Sequence, residues 1–173
     1  MRKSTRFAFA VTFAWLLGGQ AVWAQQKGND KEHAELAKAL KGVKTSLEKG
    51  LSTSESQGKP ISGKFEVEDG KLQLSVYTMK GDKFSEVIVD HATGKVAKTE
   101  AITGGGDLAA AKAQSEAMAK TKLSLRRATE KAVKENKGFR AVSAMPSLKD
   151  GHPVAEITLV KGEEFKTVSE KLD

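Results

Sequence analysis

Apolar residues recur every three or four positions between residues 36 and 51, a spacing that predicts an amphipathic helix. Residues 45–48, Thr-Ser-Leu-Glu, match the capping-box pattern, so this stretch is interpreted either as one helix or as two. Residues 52–58 are rich in Ser and favour a helix poorly. The helical stretch is therefore expected to end there.

Strict alternation of apolar and polar residues begins near Phe65 and predicts half-buried strands of an antiparallel meander. Asp69-Gly70 separates the first two strands, and a type I′ hairpin turn favours this dipeptide because both central residues need positive φ. Residues 80–83 form the next predicted turn, and a third strand is expected over residues 84–90. Thr93-Gly94 then precedes a short strand at residues 95–98.

The second half of the chain predicts the same order of helices followed by strands. Residues 108–120 are rich in Ala and predict a helix capped by Asp107, while Ser124 is expected to cap another helix. The inward-facing residues of that second helix are predicted to be Leu125, Ala128 and Ala132. Residues 136–138, Asn-Lys-Gly, should end it. Extended segments are expected over residues 139–145, 153–160 and 164–169.

The two halves are also similar in sequence. Residues 69–87 align with residues 150–168, with six of 19 positions identical, mostly in turns and the strand core. We therefore predict an α+β fold of two similar units, each with one or two helices packed on a small antiparallel β-meander. The units span residues 25–102 and 108–173, and a Gly-rich linker at 103–107 joins them. Chance similarity of two ordinary hairpins is the alternative.

Residues 1–24 have the regions of an export signal. Three cations precede an apolar run at residues 7–17, and small residues lie at the −3 and −1 positions before a cleavage site after Ala24. The run is shorter than the roughly 20 residues that span a bilayer, which disfavours the alternative of an uncleaved anchor. We expect a periplasmic or secreted protein of net charge +4 instead of +7, with no later transmembrane segment.

The residue types limit the chemistry available to the chain. Because the sequence has no Cys, it excludes disulfides, zinc fingers, thiol redox motifs and Cys nucleophiles. None of the nucleophile-elbow, zinc-protease or phosphate-loop motifs is present. The chain is therefore predicted not to be an enzyme, with no cofactor, catalytic residue or metal site assigned. His91 or His152 leaves metal binding open as an alternative.

Cations are concentrated between residues 120 and 140, where eight Lys and Arg residues accompany two Glu residues. The spacing places four of them on one helical stripe, which is a candidate surface for an acidic protein or an anionic lipid surface. The four residues are Lys120, Arg127, Lys131 and Lys134. Nucleic acid is not expected as a partner of an exported protein. An ordinary solvated helix face is the alternative.

Parts of both halves resemble a known module, the PepSY domain. In the second half the resemblance lies in residues 123–128, Ala132, Gly138, Val142, Asp150-Gly151 and residues 165–168. In the first half, residues 84–96 are similar to the final strand and turn of that family. PepSY domains occur in propeptides of secreted metallopeptidases and in exported bacterial proteins, often in tandem. The resemblance implies a non-catalytic module that restrains proteases or binds proteins.

A sheet edge offers such a module a way to bind, because an exposed edge accepts an extended peptide as an added strand. We therefore expect a non-catalytic exported binding module that modulates or inhibits a protease, or binds an extended peptide or protein partner. The alternative is a periplasmic metal- or small-ligand-binding envelope protein. Lysines in the predicted turns, such as Lys80, Lys83 and Lys161, could instead serve to keep the sheet edges monomeric.

Overall fold

The computed structural model describes residues 31–173, so the predicted export signal lies outside the described residues. The first helix, α1, covers residues 31–39 of this range. The other helices are α2 (Leu47–Ser54), α3 (Gly105–Ala119) and α4 (Leu125–Glu135). The strands are β1 (Lys59–Glu68), β2 (Lys71–Lys80), β3 (Lys83–Val89), β4 (Val96–Ile102), β5 (Arg140–Lys149), β6 (His152–Lys161) and β7 (Glu164–Lys171). The described chain is thus α+β, as predicted.

All seven strands form one antiparallel sheet in the order β4-β3-β2-β1-β5-β6-β7. The tight turns have the predicted form: φ is 49° at Asp69 and 73° at Gly70, and it is 52° at Asp150 and 81° at Gly151. Both central residues of each turn therefore have the positive φ of a type I′ hairpin. These turns link β1 to β2 and β5 to β6, and so fix the register of both hairpins.

The two meanders meet where β1 pairs with β5, and this junction is short. Only Gly63 with Ala144 and Lys64 with Ser143 are in register there. The sheet is nevertheless continuous, so the predicted small separate meanders are parts of one large sheet. The duplication itself stays a prediction, because matching two-residue turns are common to many unrelated hairpins.

Helices α2 and α4 pack on one face of the sheet. A Cβ atom added at Gly63 of β1 would lie 3.1 Å from Leu51 and 3.3 Å from Leu47, so α2 lies directly over this strand. Helix α4 contacts α2 and covers β5, β6 and β7. The centre of this layer consists of side chains with no solvent exposure: Leu47, Leu51, Leu74, Val76, Ala128, Ala132, Ile157 and Leu159.

Helix α3 packs on the opposite face of the sheet, against β1, β5 and β6. Ser62 precedes Gly63 in β1 and therefore points the other way, and its hydroxyl donates to Gln114 Oε1 of α3 at 2.8 Å. Helix α1 contacts this same face, since the His33 ring stacks on Phe165 of β7 with ring centroids 4.1 Å apart. Alternation along a strand does not reveal what covers its polar face.

Several boundaries differ from the prediction or decide between its alternatives. The stretch from residue 36 to residue 51 forms two helices, and the hydroxyl of Ser46 accepts from the backbone N–H of Lys49 as the cap of α2. Helix α3 begins at Gly105, so residues 105–107 of the predicted linker belong to its first turn. Asp107 is therefore not its N-cap. Strand β4 extends to Ile102, beyond the predicted residues 95–98.

Candidate functional site

The predicted cationic stripe is divided between two helices. Lys120 is the residue that ends α3, whereas Arg127, Lys131 and Lys134 lie on α4. The break occurs because residues 121–124 leave the helix and Ser124 caps α4, its hydroxyl accepting from the backbone N–H of Arg127. The prediction that Lys120 continues the stripe is therefore wrong. The name "cationic stripe" refers below to Arg127, Lys131 and Lys134 only.

The orientation of α4 is fixed by its buried side and by an ion pair on each flank. Leu125, Ala128 and Ala132 are buried against the sheet, as predicted. On the flank toward α2, Arg126 Nε lies 3.6 Å from Glu55 Oε1. On the opposite flank, Lys131 Nζ lies 2.7 Å from Glu170 Oε2 of β7. Lys131 thus lies on the side of α4 that borders β7, and Arg127 and Lys134 are exposed next to it.

The Lys131–Glu170 pair connects the stripe to the sheet. The Glu170 side chain is only 8% exposed, whereas that of Lys131 is 54% exposed. The hydrogen bond and charge of Glu170 raise the pKa of Lys131, with a further contribution from the Glu135 carboxylate. Because burial of an uncompensated carboxylate is costly, this pair holds α4 against the edge of the sheet.

Two further cations lie beside β7: Lys161, which the sequence predicts in a turn, and Lys166, which no sequence pattern singled out. Lys166 Nζ lies 4.0 Å from the centroid of the Phe139 ring, and Lys161 Nζ lies 5.9 Å from the same centroid. Both are cation–π contacts between separate elements. Lys166 is in β7, so it adds a positive charge to the border of the sheet next to the stripe. A contact across elements has no local spacing that a sequence pattern could detect.

Strands β4 and β7 form the two edges of the sheet. Each pairs with one neighbour among residues 31–173, which leaves a row of backbone N–H and C=O groups without a strand partner in that range. The edges differ in charge. On β4, Lys98 pairs with Glu100 at 3.0 Å, whereas β7 is bordered by the cationic stripe and Lys166.

The three histidines lie in different parts of the described fold. His33 stacks on Phe165, and His152 Nδ1 lies 3.0 Å from Asp173 Oδ2. The backbone carbonyl of His91 accepts from Thr45, while its buried Nδ1 has no partner among the described residues. Within residues 31–173, no group of three or more His, Cys, Asp or Glu side chains is placed to hold a metal ion.

A network of half-buried polar side chains lies on the α3 face of the sheet. The Tyr77 hydroxyl donates to Asp107 Oδ1 at 3.0 Å, and Ser75 donates to Glu86 Oε1 at 2.5 Å. Burial and the Asp107 carboxylate raise the pKa of Tyr77 well above its ordinary value. Burial also raises the pKa of Glu86. Since the Tyr77 bond ties α3 to β2, the geometry supports a structural role for this network.

Two small clefts, each of about 200 Å³, open on the surface. One lies between α1 and the sheet, and its polar lining includes His33, Lys64 and Glu66. The other lies where the start of β1 meets α3 and α4, and Met118 and Leu125 contribute to its apolar lining. Both are smaller than the clefts that usually hold drug-sized ligands.

No protein-family model, curated protein or solved structure matches this chain. The resemblance to PepSY domains, with the tandem units that it implies, therefore stays a prediction. Among residues 31–173, no helix is long and apolar enough to cross a membrane.

Proposed function

We propose that this chain is a non-catalytic exported binding module, whose partner is an extended segment of another protein, with a protease as one candidate. One observation carries the proposal: the described sheet ends in two strands, β4 and β7, that each lack a second strand neighbour. An extended peptide binds such an edge through main-chain hydrogen bonds and needs no deep pocket. The small volume of the clefts supports the same mode of binding.

The proposal includes export and a tandem PepSY-like organisation. Export draws on the signal-like pattern of residues 1–24. The tandem organisation draws on the alignment of residues 69–87 with residues 150–168 and on the shared turn conformations of the two hairpins. In this organisation each unit contributes one edge that has no further strand partner among residues 31–173, so the module offers two places where a strand can be added.

The test uses residues 25–173 in a panel of extracellular proteases, combined with site-specific photo-crosslinking. A photoreactive residue is placed at exposed Ala97 of β4 or exposed Thr167 of β7. Exposed Lys112 of α3 is the matched control position. We expect inhibition of at least one protease, or a crosslinked protein that appears from the edge positions and not from position 112. No inhibition, together with equal crosslinking from all three positions, would contradict the proposal.

The alternative of a metal- or small-ligand-binding envelope protein draws little support from residues 31–173. The described fold places His91 beside Thr45 and His152 beside Asp173, and it does not group them with further metal-ligating side chains. Titration of the purified protein with Cu²⁺ and Zn²⁺ tests this alternative directly. The metal-binding alternative requires tight binding of Cu²⁺ or Zn²⁺. The substitution His91→Ala or His152→Ala must also abolish that binding.

A further inference from the structure

The border between α4 and β7 combines a free strand edge with a row of positive charges. Lys131 bonds to Glu170, so the side of α4 that carries it faces the β7 border. Arg127 lies four residues before Lys131 and Lys134 lies three residues after it, so both neighbour Lys131 on the exposed surface of α4. Arg127 and Lys134 are exposed and form no ion pair within the described part of the chain. Their charge is therefore available to a partner.

The charges continue along β7 because α4 and β7 run in opposite directions. At one end, the backbone N–H groups of Lys122 and Leu123, just before α4, donate to the carbonyl of Leu172. At the other end, Phe139, which follows α4, contacts Lys166 of β7. Cations thus flank the β7 edge at both ends, with Arg127 near the C-terminal end of the strand and Lys166 near its N-terminal end.

The register of β7 indicates where the side chains of an added strand would lie. Lys166, Val168 and Glu170 point toward the α4 face, because Val168 pairs with Ile157 and Glu170 pairs with Ala155 of that face. An added strand would lie about 4.8 Å beyond β7, and every second side chain would share this face. Those side chains would meet the cationic stripe and Lys166.

We propose that the β7 edge binds an extended acidic peptide as an eighth strand, with alternate Asp or Glu side chains facing α4. This inference rests on the proposed function and names its site and partner chemistry. The β4 edge is the weaker candidate, because Lys98 pairs with Glu100 there, whereas Arg127 and Lys134 near β7 form no ion pair among the described residues. Pairing of β7 with β7 of a second copy is disfavoured, since it would bring two cationic borders together.

The first experiment measures binding of three fluorescein-labelled octapeptides to residues 25–173 by anisotropy. The peptides alternate Val with Glu, Val with Thr, or Val with Lys. At about 20 mM salt we expect the Val-Glu peptide to bind about tenfold more tightly than the Val-Thr peptide, and the preference to shrink at about 300 mM salt as screening increases. Equal affinity of all three peptides would overturn the inference.

Two N-methylated forms of the Val-Glu peptide distinguish strand addition from simple charge attraction. One form carries N-methyl groups on every Val, and the other carries them on every Glu. A strand added at one edge uses the N–H groups of alternate residues only, so one form should bind like the parent and the other should lose about tenfold in affinity. Equal binding of both forms would mean that the peptide does not pair with β7.

Charge reversal tests the cationic stripe against a matched control. The double variant Arg127→Glu and Lys134→Glu should weaken the Val-Glu peptide about tenfold. The control Lys83→Glu and Lys112→Glu reverses two exposed cations, one at the start of β3 and one in α3, and so changes the net charge equally. We expect the control to bind nearly like the parent. Equal losses in both variants would assign the effect to net charge and overturn the inference.

Hydrogen exchange separates failure of this inference from failure of the proposed function. We expect the Val-Glu peptide to slow exchange in β7 and not in β4. Protection of β4 alone, or tighter binding of the neutral peptide, would overturn the acidic β7 site while leaving edge binding intact. If the crosslinking test also shows no preference for the edges, the proposed function fails as well.

Discussion

At the scale of single residues, the polar positions of the central strands are more constrained than their alternation indicates. Glu86 lies between Ser85 and the apolar Val87 in β3, and a charged residue in such a strand is typical of a solvent-facing position. In the structure, Ser75 donates to its carboxylate, and burial raises its pKa above the ordinary value. The carboxylate of Glu66 contributes in the same direction. Glu86 is thus a half-buried acid, and its ionisation opposes folding.

The substitution Glu86→Gln should therefore stabilise the protein at neutral pH and not in acid. The folded state holds the Glu86 proton more tightly than the unfolded state does, so the stability of the parent falls as pH rises through the folded pKa. Gln has no such proton, yet its amide oxygen still accepts from Ser75. Urea unfolding should show a stability advantage for E86Q that is present at about pH 7.5 and shrinks below about pH 4.

Glu68→Gln is the control, because Glu68 lies exposed at the end of β1 and the substitution removes the same charge. It reports the general effect of one fewer carboxylate on the stability of the protein. An advantage of E86Q that is equal to that of E68Q, or that grows in acid, would show that burial of Glu86 does not govern the effect.

At the scale of elements, local signals predict the turns and helix ends well. Asp69-Gly70 and Asp150-Gly151 have the expected positive φ values, and Ser124 caps α4 as predicted. The cap of α2 is Ser46 and not Thr45, the first residue of the capping-box pattern, so that cap differs from the prediction by one residue. These features depend on a few consecutive residues. The face of the sheet on which a helix packs depends on distant residues, so the position of α3 was not predictable. Its Ala-rich sequence lacks a pronounced apolar stripe. The assignment of Lys120 to the stripe of α4 fails for a local reason, because residues 121–124 leave the helix and Ser124 caps α4.

Close approach of α2 to the sheet requires the absence of a side chain at Gly50. A Cβ atom there would lie 2.6 Å from Leu74 Cδ2, and Leu74 has no solvent exposure into which it could move. Gly50→Ala improves the intrinsic helix propensity by about 1 kcal/mol. We nevertheless expect a net loss of about 1 kcal/mol in the free energy of unfolding, since overpacking a core costs about 1–3 kcal/mol.

The measurement is urea unfolding of G50A, of L74A, and of the variant that combines both substitutions. Leu74→Ala alone should cost about 2–5 kcal/mol because it opens a cavity. The methyl group that Gly50→Ala adds should fill part of that cavity, so the double variant should lose less than the two single losses combined. Simple additivity of the two losses would contradict the proposed contact between Gly50 and Leu74.

At the scale of the whole molecule, the two halves are joined more by helices and side chains than by the sheet. Strands β1 and β5 share only two residue pairs. Lys59 Nζ donates to the carbonyl of Met118 at 3.0 Å, and Arg140 donates to the carbonyl of Thr45 at 3.1 Å. The Arg140 guanidinium also lies 5.5 Å from the centroid of Phe65, and burial lowers its pKa. Such contacts between distant segments leave no pattern in the sequence, which explains why separate units were predicted.

This interlocking predicts that the protein unfolds in one cooperative transition. Tyr77, the single tyrosine of the chain, reports on the first half, and both tryptophans lie within residues 1–24. Because residues 25–173 contain no Trp, the substitution Phe139→Trp adds a second fluorescent probe that reports on the other half. Urea unfolding followed by the two fluorescence signals and by far-UV circular dichroism should give coincident midpoints.

Arg140→Ala removes one connection and should lower all midpoints together. Separate midpoints for the two halves in the parent protein would mean that the short β1–β5 junction limits cooperativity, despite α3 packing across it.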